Sequence, residues 1–123
     1  MTDGSKTDAN APWPWPDSMD ARTAAPEFHR LLFENERVRV LEVRIRPGEF
    51  VPVHTHRCPG AVYVVSAGDF VRRDGGGKLM LDSRSASVSQ PAPFVQWTGP
   101  LPPHSVENIG TTDIVLITTE LKS

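Results

Sequence analysis

The chain has 123 residues, with 13 basic and 15 acidic side chains and a formal net charge of -2. A chain of this length builds one hydrophobic core, so we expect a single domain. The balanced charge provides no basic stripe for nucleic acid, and no apolar run approaches the roughly 20 residues of a membrane helix, which makes a small molecule the expected partner.

The only cysteine is Cys58, so an intrachain disulfide framework is excluded. The polar start "MTDGSKTDAN" lacks the basic and apolar regions of a signal peptide. We therefore expect a cytoplasmic protein.

Residues 1–25 are predicted to form an N-terminal arm, because they show neither a helical nor a strand period. Pro12, Pro14 and Pro16 favour an extended path that carries Trp13 and Trp15 outward. Two exposed indoles are costly, so the arm is expected either to be a disordered tail or to pack on a partner subunit.

Residues 26–123 are predicted to form the folded domain, since short runs rich in Val, Ile, Leu and Thr alternate there with turn residues. The predicted strands are residues 29–33, 37–46, 50–56, 61–67, 69–73, 78–82, 93–98, 104–108 and 113–121. The last of these is apolar on both faces and is expected in the middle of a sheet. Eight or nine strands without intervening helices predict an all-β jelly-roll barrel whose mouth can hold a ligand.

Two histidines one residue apart, His54 and His56, project from the same face of the third predicted strand. Phe50 and Pro52 share that face and suggest that it points inward. Buried neutral imidazoles need partners for their ring nitrogens, which a divalent metal ion supplies. A third histidine should complete such a site, and His104, behind the rigid sequence "PLPP", is favoured over His29.

The stretch "PGEFVPVHTHRCPGAVYVVSAG" resembles the first motif of the cupin family, with Gly48, His54, His56 and Gly68 in matching positions. The stretch "PPHSVEN" resembles the end of the second cupin motif through His104 and Asn108. The resemblance covers about residues 28–121. It implies a cupin-like double-stranded β-helix, a metal held by His54, His56 and His104, and a homodimer to which the Trp13 and Trp15 arm contributes.

The sequence departs from the motif at Ala61, where the family usually has a metal-binding glutamate. It thereby resembles the three-histidine subset of cupins, which includes some dioxygenases and zinc proteins. Three neutral imidazoles leave the metal its full charge, which favours an anionic ligand. Histidine ligands do not discriminate among iron, zinc, nickel, copper and manganese.

Five further residues are candidates for the pocket or for support of the ligands: Phe50, Cys58, Gln96, Trp97 and Arg72. Gln96 or Trp97 should face inward, because neighbours in a strand alternate. Either Arg72 or Arg73 can hold an anionic substrate, and Tyr63 is a candidate proton donor if its face lines the cavity. Cys58 follows His56 closely, but Pro59 and Gly60 bend the chain away.

The leading hypothesis is a metal-dependent enzyme acting on a small anionic molecule, either as a dioxygenase or as a Lewis-acid lyase or isomerase. The alternative is a non-catalytic cupin that binds or senses a metabolite. A fold alone cannot choose between them, since one barrel supports many chemistries.

Overall fold

The structure is a computed structural model that describes residues 13–85 and 91–122. Within these residues the domain has nine strands: β1 His29–Glu34, β2 Val38–Ile45, β3 Phe50–His56, β4 Gly60–Ser66, β5 Phe70–Asp74, β6 Leu79–Asp82, β7 Phe94–Thr98, β8 Leu101–Asn108 and β9 Ile114–Leu121. In the described part of the chain, no helix is long and apolar enough to cross a membrane.

The strands form two antiparallel sheets, which confirms the predicted all-β jelly-roll architecture. The five-stranded sheet has the order β1-β2-β9-β4-β7, and the four-stranded sheet has the order β3-β8-β5-β6. β9 lies between β2 and β4, so the expectation that the doubly apolar last strand is central is also confirmed. The predicted strands match the observed ones closely, except that β8 begins at Leu101, three residues before His104.

The core lies between the sheets and is formed by their inward side chains. Val43, Ile45, Val51 and Ile114 make one buried cluster, against which Phe70 and Val106 pack. Burial of such side chains contributes about 25 cal/mol for each Å² of apolar surface removed from water.

The second half of the expected arm is folded against this domain. Residues Asp17–Met19 form a 3₁₀ turn, and Ala21–Ala24 form a single helical turn, α1, in which the Asp20 side chain caps the Arg22 amide. Ala21 and Ala25 are almost completely buried, which fixes this segment on the barrel.

Trp13 and Trp15 pack edge to face on each other, with ring centroids 4.7 Å apart. The polar start of the arm, residues 1–12, lies outside the described residues. The predicted contribution of the arm to a partner subunit stays a prediction.

Among the described residues, two turns have a glycine with positive φ. Gly48 (φ 84°) turns the chain from β2 into β3. Gly77 (φ 91°) closes the β5–β6 hairpin, where its amide donates to the Asp74 carbonyl. The "DGGG" segment is thus a hairpin turn.

Candidate metal centre

All four histidines of the chain meet in one cluster inside the barrel. His29 begins β1, His54 and His56 lie on β3, and His104 lies on β8. The His54 ring centroid is 4.9 Å from that of His29, 5.1 Å from that of His56 and 4.3 Å from that of His104. Strands of both sheets therefore contribute imidazoles to a single site.

His29 belongs to this cluster, although the sequence favours His104 over it. One ring nitrogen from each of His29, His54 and His56 lies within 4.8 Å of the others, a spacing that suits a shared metal ion. The His104 ring lies farther from His56, at 5.8 Å. The nitrogen spacing thus groups His29, rather than the predicted His104, with His54 and His56, and His104 lies beside this group against the His54 ring.

The Nδ1 atom of every histidine makes one short hydrogen bond. The Nδ1–H groups of His29, His54 and His104 donate to the carbonyl oxygens of Ala25, Pro52 and Pro102 at 2.8, 2.8 and 2.7 Å. His56 Nδ1 donates to the Glu120 carboxylate at 2.8 Å. Carbonyl and carboxylate oxygens only accept, so each bond keeps the proton on Nδ1.

This pattern leaves Nε2 of each ring with its lone pair. Within the described residues, no Nε2 atom of the four takes part in a hydrogen bond. Histidines that bind metals typically donate the other ring N–H to a carbonyl or carboxylate, which orients the ring and makes it more basic. The donor set therefore fits a divalent metal ion.

Burial keeps three of the rings neutral. It lowers the pKa of His29 and of His54 to about 3 and that of His104 to about 4, with the neighbouring positive charges adding to the effect. Only a deprotonated ring nitrogen can bind a metal, so these rings are ready as ligands at neutral pH.

A chain of charged groups supports His56 from outside the cluster. Glu120, 5% exposed, accepts from His56 with one oxygen and from the Arg39 guanidinium with the other, at 2.9 Å. Arg39 also makes a two-pronged contact with Asp20, at 2.9 and 3.0 Å. Asp20 in turn caps α1 and bridges to Thr55 of β3.

Sequence patterns favoured His104 over His29 and did not reveal the chain of charges. Arg39 shares the face of β2 that carries Leu41, Val43 and Ile45, and a charged residue on that buried face is the signal that could have found it. Glu120 carries the same signal, because it continues the inward positions 114, 116 and 118 of β9.

The expectation that Phe50 faces the site is wrong. Phe50 is 52% exposed, whereas the next residue, Val51, is 1% exposed and belongs to the core. The pairing of β3 with β8 shifts between Val51 and His54, so a bulge interrupts the alternation on which the prediction relied. Val51 and the two histidines therefore face inward together, and Phe50 faces out.

Tyr63 also lies on the outside, so its predicted role in the cavity is wrong. Residues opposite each other in an antiparallel pair share a face. Tyr63 pairs with Ile117 and Val95 on the outer face of the five-stranded sheet and is 44% exposed. The inward residues of β4 are Gly60, Val62 and Val64.

The same rule decides between Gln96 and Trp97. Gln96 pairs with the buried Val62 and so lies on the inner face of the sheet, but on the edge strand β7 its side chain is exposed to solvent. Trp97 pairs with Ala61 on the outer face and is 57% exposed. Trp97 as a pocket residue is therefore wrong.

Gly60 explains why β4 carries no inward glutamate. Ala61 faces outward, so the inward position at the start of β4 is Gly60, which pairs with Glu120 of β9. A Cβ at Gly60 would overlap the Thr119 carbonyl oxygen. The carboxylate near His56 is therefore that of Glu120 on β9, the strand that pairs with β4 at Gly60, and it accepts a hydrogen bond from His56 Nδ1.

Cys58 lies apart from the group of possible ligands in the described residues. It is half-buried and lines a surface groove of about 370 Å³ together with Trp13, Arg39 and Glu120. Burial raises the pKa of its thiol. Asn108, by contrast, is fully buried and holds backbone, donating to the carbonyl oxygens of Ile45 and Thr112 at 2.8 and 2.9 Å.

No family model matches the sequence, and no curated protein matches it. Solved structures do match. A cupin domain from Bordetella pertussis Tohama I has a TM-score of 0.57 at 23% identity, covering 77% of this chain and 92% of that chain.

Two further solved structures are similar. An RmlC-like cupin family protein with a double-stranded β-helix fold from Methanocaldococcus jannaschii has a TM-score of 0.54 at 11% identity, covering 76% of this chain and 77% of that one. A cupin superfamily protein from Desulfitobacterium hafniense DCB-2 has a TM-score of 0.51 at 14% identity, covering 77% and 76%. At these identities the likeness concerns the fold alone.

Proposed function

We propose that this protein, which has the cupin fold, binds one divalent metal ion in its histidine cluster and acts there on a small anionic molecule. The observation that carries the proposal is the arrangement of four converging imidazoles, in each of which Nδ1–H donates to an acceptor and Nε2 keeps a lone pair for a metal. Such an arrangement is what metal sites use to fix the orientation of histidine ligands.

His54, His56 and His104 are the ligands that the sequence favours, whereas the spacing of ring nitrogens groups His29 with His54 and His56. His104 lies against His54, with ring centroids 4.3 Å apart. A bound divalent ion would supply Lewis-acid chemistry, or redox chemistry if it is iron or copper. Zinc, nickel and manganese are also compatible with imidazole donors, so the ligands leave the metal open.

The charge of the site supports an anionic ligand. The imidazoles are neutral, and Glu120 faces His56 and Arg39 with its two oxygens. No carboxylate joins the group of possible ligands within residues 13–85 and 91–122. A carboxylate, enolate or thiolate on the substrate would therefore provide the negative charge that the protein does not.

The first test is elemental analysis of tag-free protein together with His29→Ala, His54→Ala, His56→Ala and His104→Ala. We expect close to one equivalent of metal in the wild type and a loss in the variants that remove a ligand. Phe50→Ala is the matched control, because Phe50 lies on β3 but faces solvent. Less than about a tenth of an equivalent in the wild type would contradict the site.

The second test addresses catalysis. Oxygen uptake and product formation are measured over a panel of thiols, diketones and hydroxy acids with each candidate metal. Uptake of oxygen would indicate a dioxygenase, and conversion without oxygen a lyase or isomerase, both lost with the metal-binding histidines.

A non-catalytic cupin that binds or senses a metabolite is the second candidate, favoured by the absence of a carboxylate on Gly60 or Ala61. It predicts saturable binding of a ligand that is recovered unchanged. Absence of turnover with every metal, combined with such binding, would select this function over the enzyme.

We further propose a cytoplasmic homodimer. Tyr63, Val65, Val95 and Trp97 expose apolar surface on adjacent strands β4 and β7, and contiguous exposed apolar surface is typical of interfaces. Sedimentation of the wild type and of Val95→Glu tests this. Leu79→Glu serves as the control, because Leu79 is exposed on β6 in the other sheet. A monomeric wild type would contradict the dimer.

A further inference from the structure

Arg72 lies on the inner face of the four-stranded sheet, beside the histidine cluster. It pairs directly with Val106 of β8, whose side chain packs against the core. His104 is two residues from Val106 on the same strand and shares its face. The guanidinium therefore enters the barrel along the wall that carries His104, whereas Arg73 points to the outside and is exposed.

Arg72 has no ionic partner in the described part of the chain. Its Nε is buried without a hydrogen bond, and its guanidinium carbon lies 5.9 Å from the centroid of the Phe70 ring. Asp74 is on the same face of β5, but its Oδ1 accepts from the amides of Gly76 and Lys78 in the hairpin turn. A buried donor without a hydrogen bond, on a partly buried guanidinium without an anionic partner, costs free energy that a bound anion can offset.

Arg39 is an inward arginine of this barrel whose guanidinium is paired with carboxylates of the protein. Its donors contact both Asp20 and Glu120. The two inward arginines thus differ in their partners. Arg39 is paired with carboxylates of the protein itself, whereas no carboxylate of the described residues pairs with Arg72.

Arg72 also lies close to His104 in the register of the two strands. Asp74 of β5 pairs directly with His104, and Arg72 is two residues from Asp74 on the same face. The neutral rings cannot compensate a guanidinium. The region that holds the histidines therefore contains an uncompensated positive charge of the protein itself.

We propose that Arg72 is the anchor for the carboxylate of the small molecule that this site binds. The proposal rests on the proposed function in one respect: the histidine cluster would bind the end of the ligand opposite to this carboxylate. A guanidinium presents a planar fork that matches a carboxylate through two parallel hydrogen bonds. One free positive charge matches a carboxylate better than a phosphate, which carries up to about two negative charges at neutral pH.

The test uses metal-free protein, so that it does not depend on the metal site. Acetate and propionate are titrated at constant ionic strength, with inorganic phosphate as a third probe. Binding is followed by the ¹H–¹⁵N signal of Arg72 Nε and by the melting temperature, which a ligand of the native state raises. We expect a saturable response to both carboxylates and a weaker response to phosphate.

Arg72→Gln should weaken carboxylate binding about ten-fold or more. Arg72→Lys should fall between it and the wild type, because it keeps the charge but loses the fork. Arg73→Met is the matched control and should bind as the wild type does. Arg72→Met distinguishes a structural role: without ligand it should melt no lower than the wild type, because it removes an unpaired buried charge.

Equal carboxylate binding by Arg72→Gln, or no response in the wild type, would overturn the anchor. A tighter, Arg72-dependent response to phosphate would overturn the carboxylate assignment. His54→Ala separates this proposal from the previous one, since it should lose metal but keep the acetate response. A protein that never takes metal yet responds to acetate through Arg72 would refute the metal site and leave the anchor standing.

Discussion

Glu120 of β9 accepts a 2.8 Å hydrogen bond from Nδ1 of His56 on β3, across the interior between the two sheets. The same carboxylate holds Arg39, so its orientation is fixed from both sides. A carboxylate that accepts from Nδ1 fixes the tautomer and increases the basicity of Nε2. Glu120 therefore binds the Nδ1 side of the His56 ring, and Nε2 stays available to a metal ion.

Glu120→Gln should lower metal affinity about 10- to 100-fold, because the amide accepts the Nδ1 proton without a negative charge. Competition with a chromophoric chelator measures the affinity. Glu42→Gln is the control, since Glu42 pairs with the exposed Arg30 on the outer face of the sheet, which points away from the cluster. Unchanged affinity in Glu120→Gln would show that Glu120 serves Arg39 alone.

Asp20→Ala should destabilise the protein by about 1–2 kcal/mol, because it removes the cap of α1 and one partner of Arg39. Asp20→Asn keeps the capping oxygen and should cost less. Urea denaturation of the two variants beside the wild type measures both values. Equal losses in the two variants would mean that the ion pair, and not the cap, carries the effect.

The stability of metal-free protein should fall as the pH falls below about 6.5. The pKa values of His29, His54 and His104 are lowered to about 3, 3 and 4, whereas the unfolded chain takes up these protons near 6.5. The unfolded state therefore binds more protons in this window, and each histidine contributes up to about 1.4 kcal/mol per pH unit.

Chemical denaturation of metal-free protein between about pH 7.5 and 5 tests this dependence. His104→Gln should show a shallower slope, because one of the three buried imidazoles is absent. A free energy of unfolding that does not change across the window would contradict the low pKa values.

Gly60→Ala should destabilise the protein by about 1–3 kcal/mol or more, because the added Cβ meets the Thr119 carbonyl on a central strand. Gly76→Ala is the control, since its Cβ would contact only Asp74 Oδ1, at 3.5 Å. Thermal melts of both variants compare them. A Gly60→Ala protein as stable as the control would show that β9 moves readily.

The sequence predicted the strands well because their local signals agree with the fold. The apolar residues of β2 alternate with polar ones, and β9 is a continuous apolar run; both patterns are typical of buried strands. Their inward side chains, such as Val43, Ile45 and Ile114, are buried in the structure. The His-x-His pair was also readable, because both residues sit on one strand. Prediction failed at Phe50, where the bulge in β3 reverses the alternation, and at Tyr63, because both faces of β4 are apolar in sequence.

The sequence by itself determined the two-sheet barrel, the central place of β9 and the pairing of His54 with His56. Only the tertiary structure decided that His29 joins them, that Glu120 supports His56, and that Arg72 faces inward without a protein partner in the described residues. Alternation along one strand is a local property, whereas these contacts join strands distant in sequence. Their register depends on a bulge and a glycine contact that no local period records.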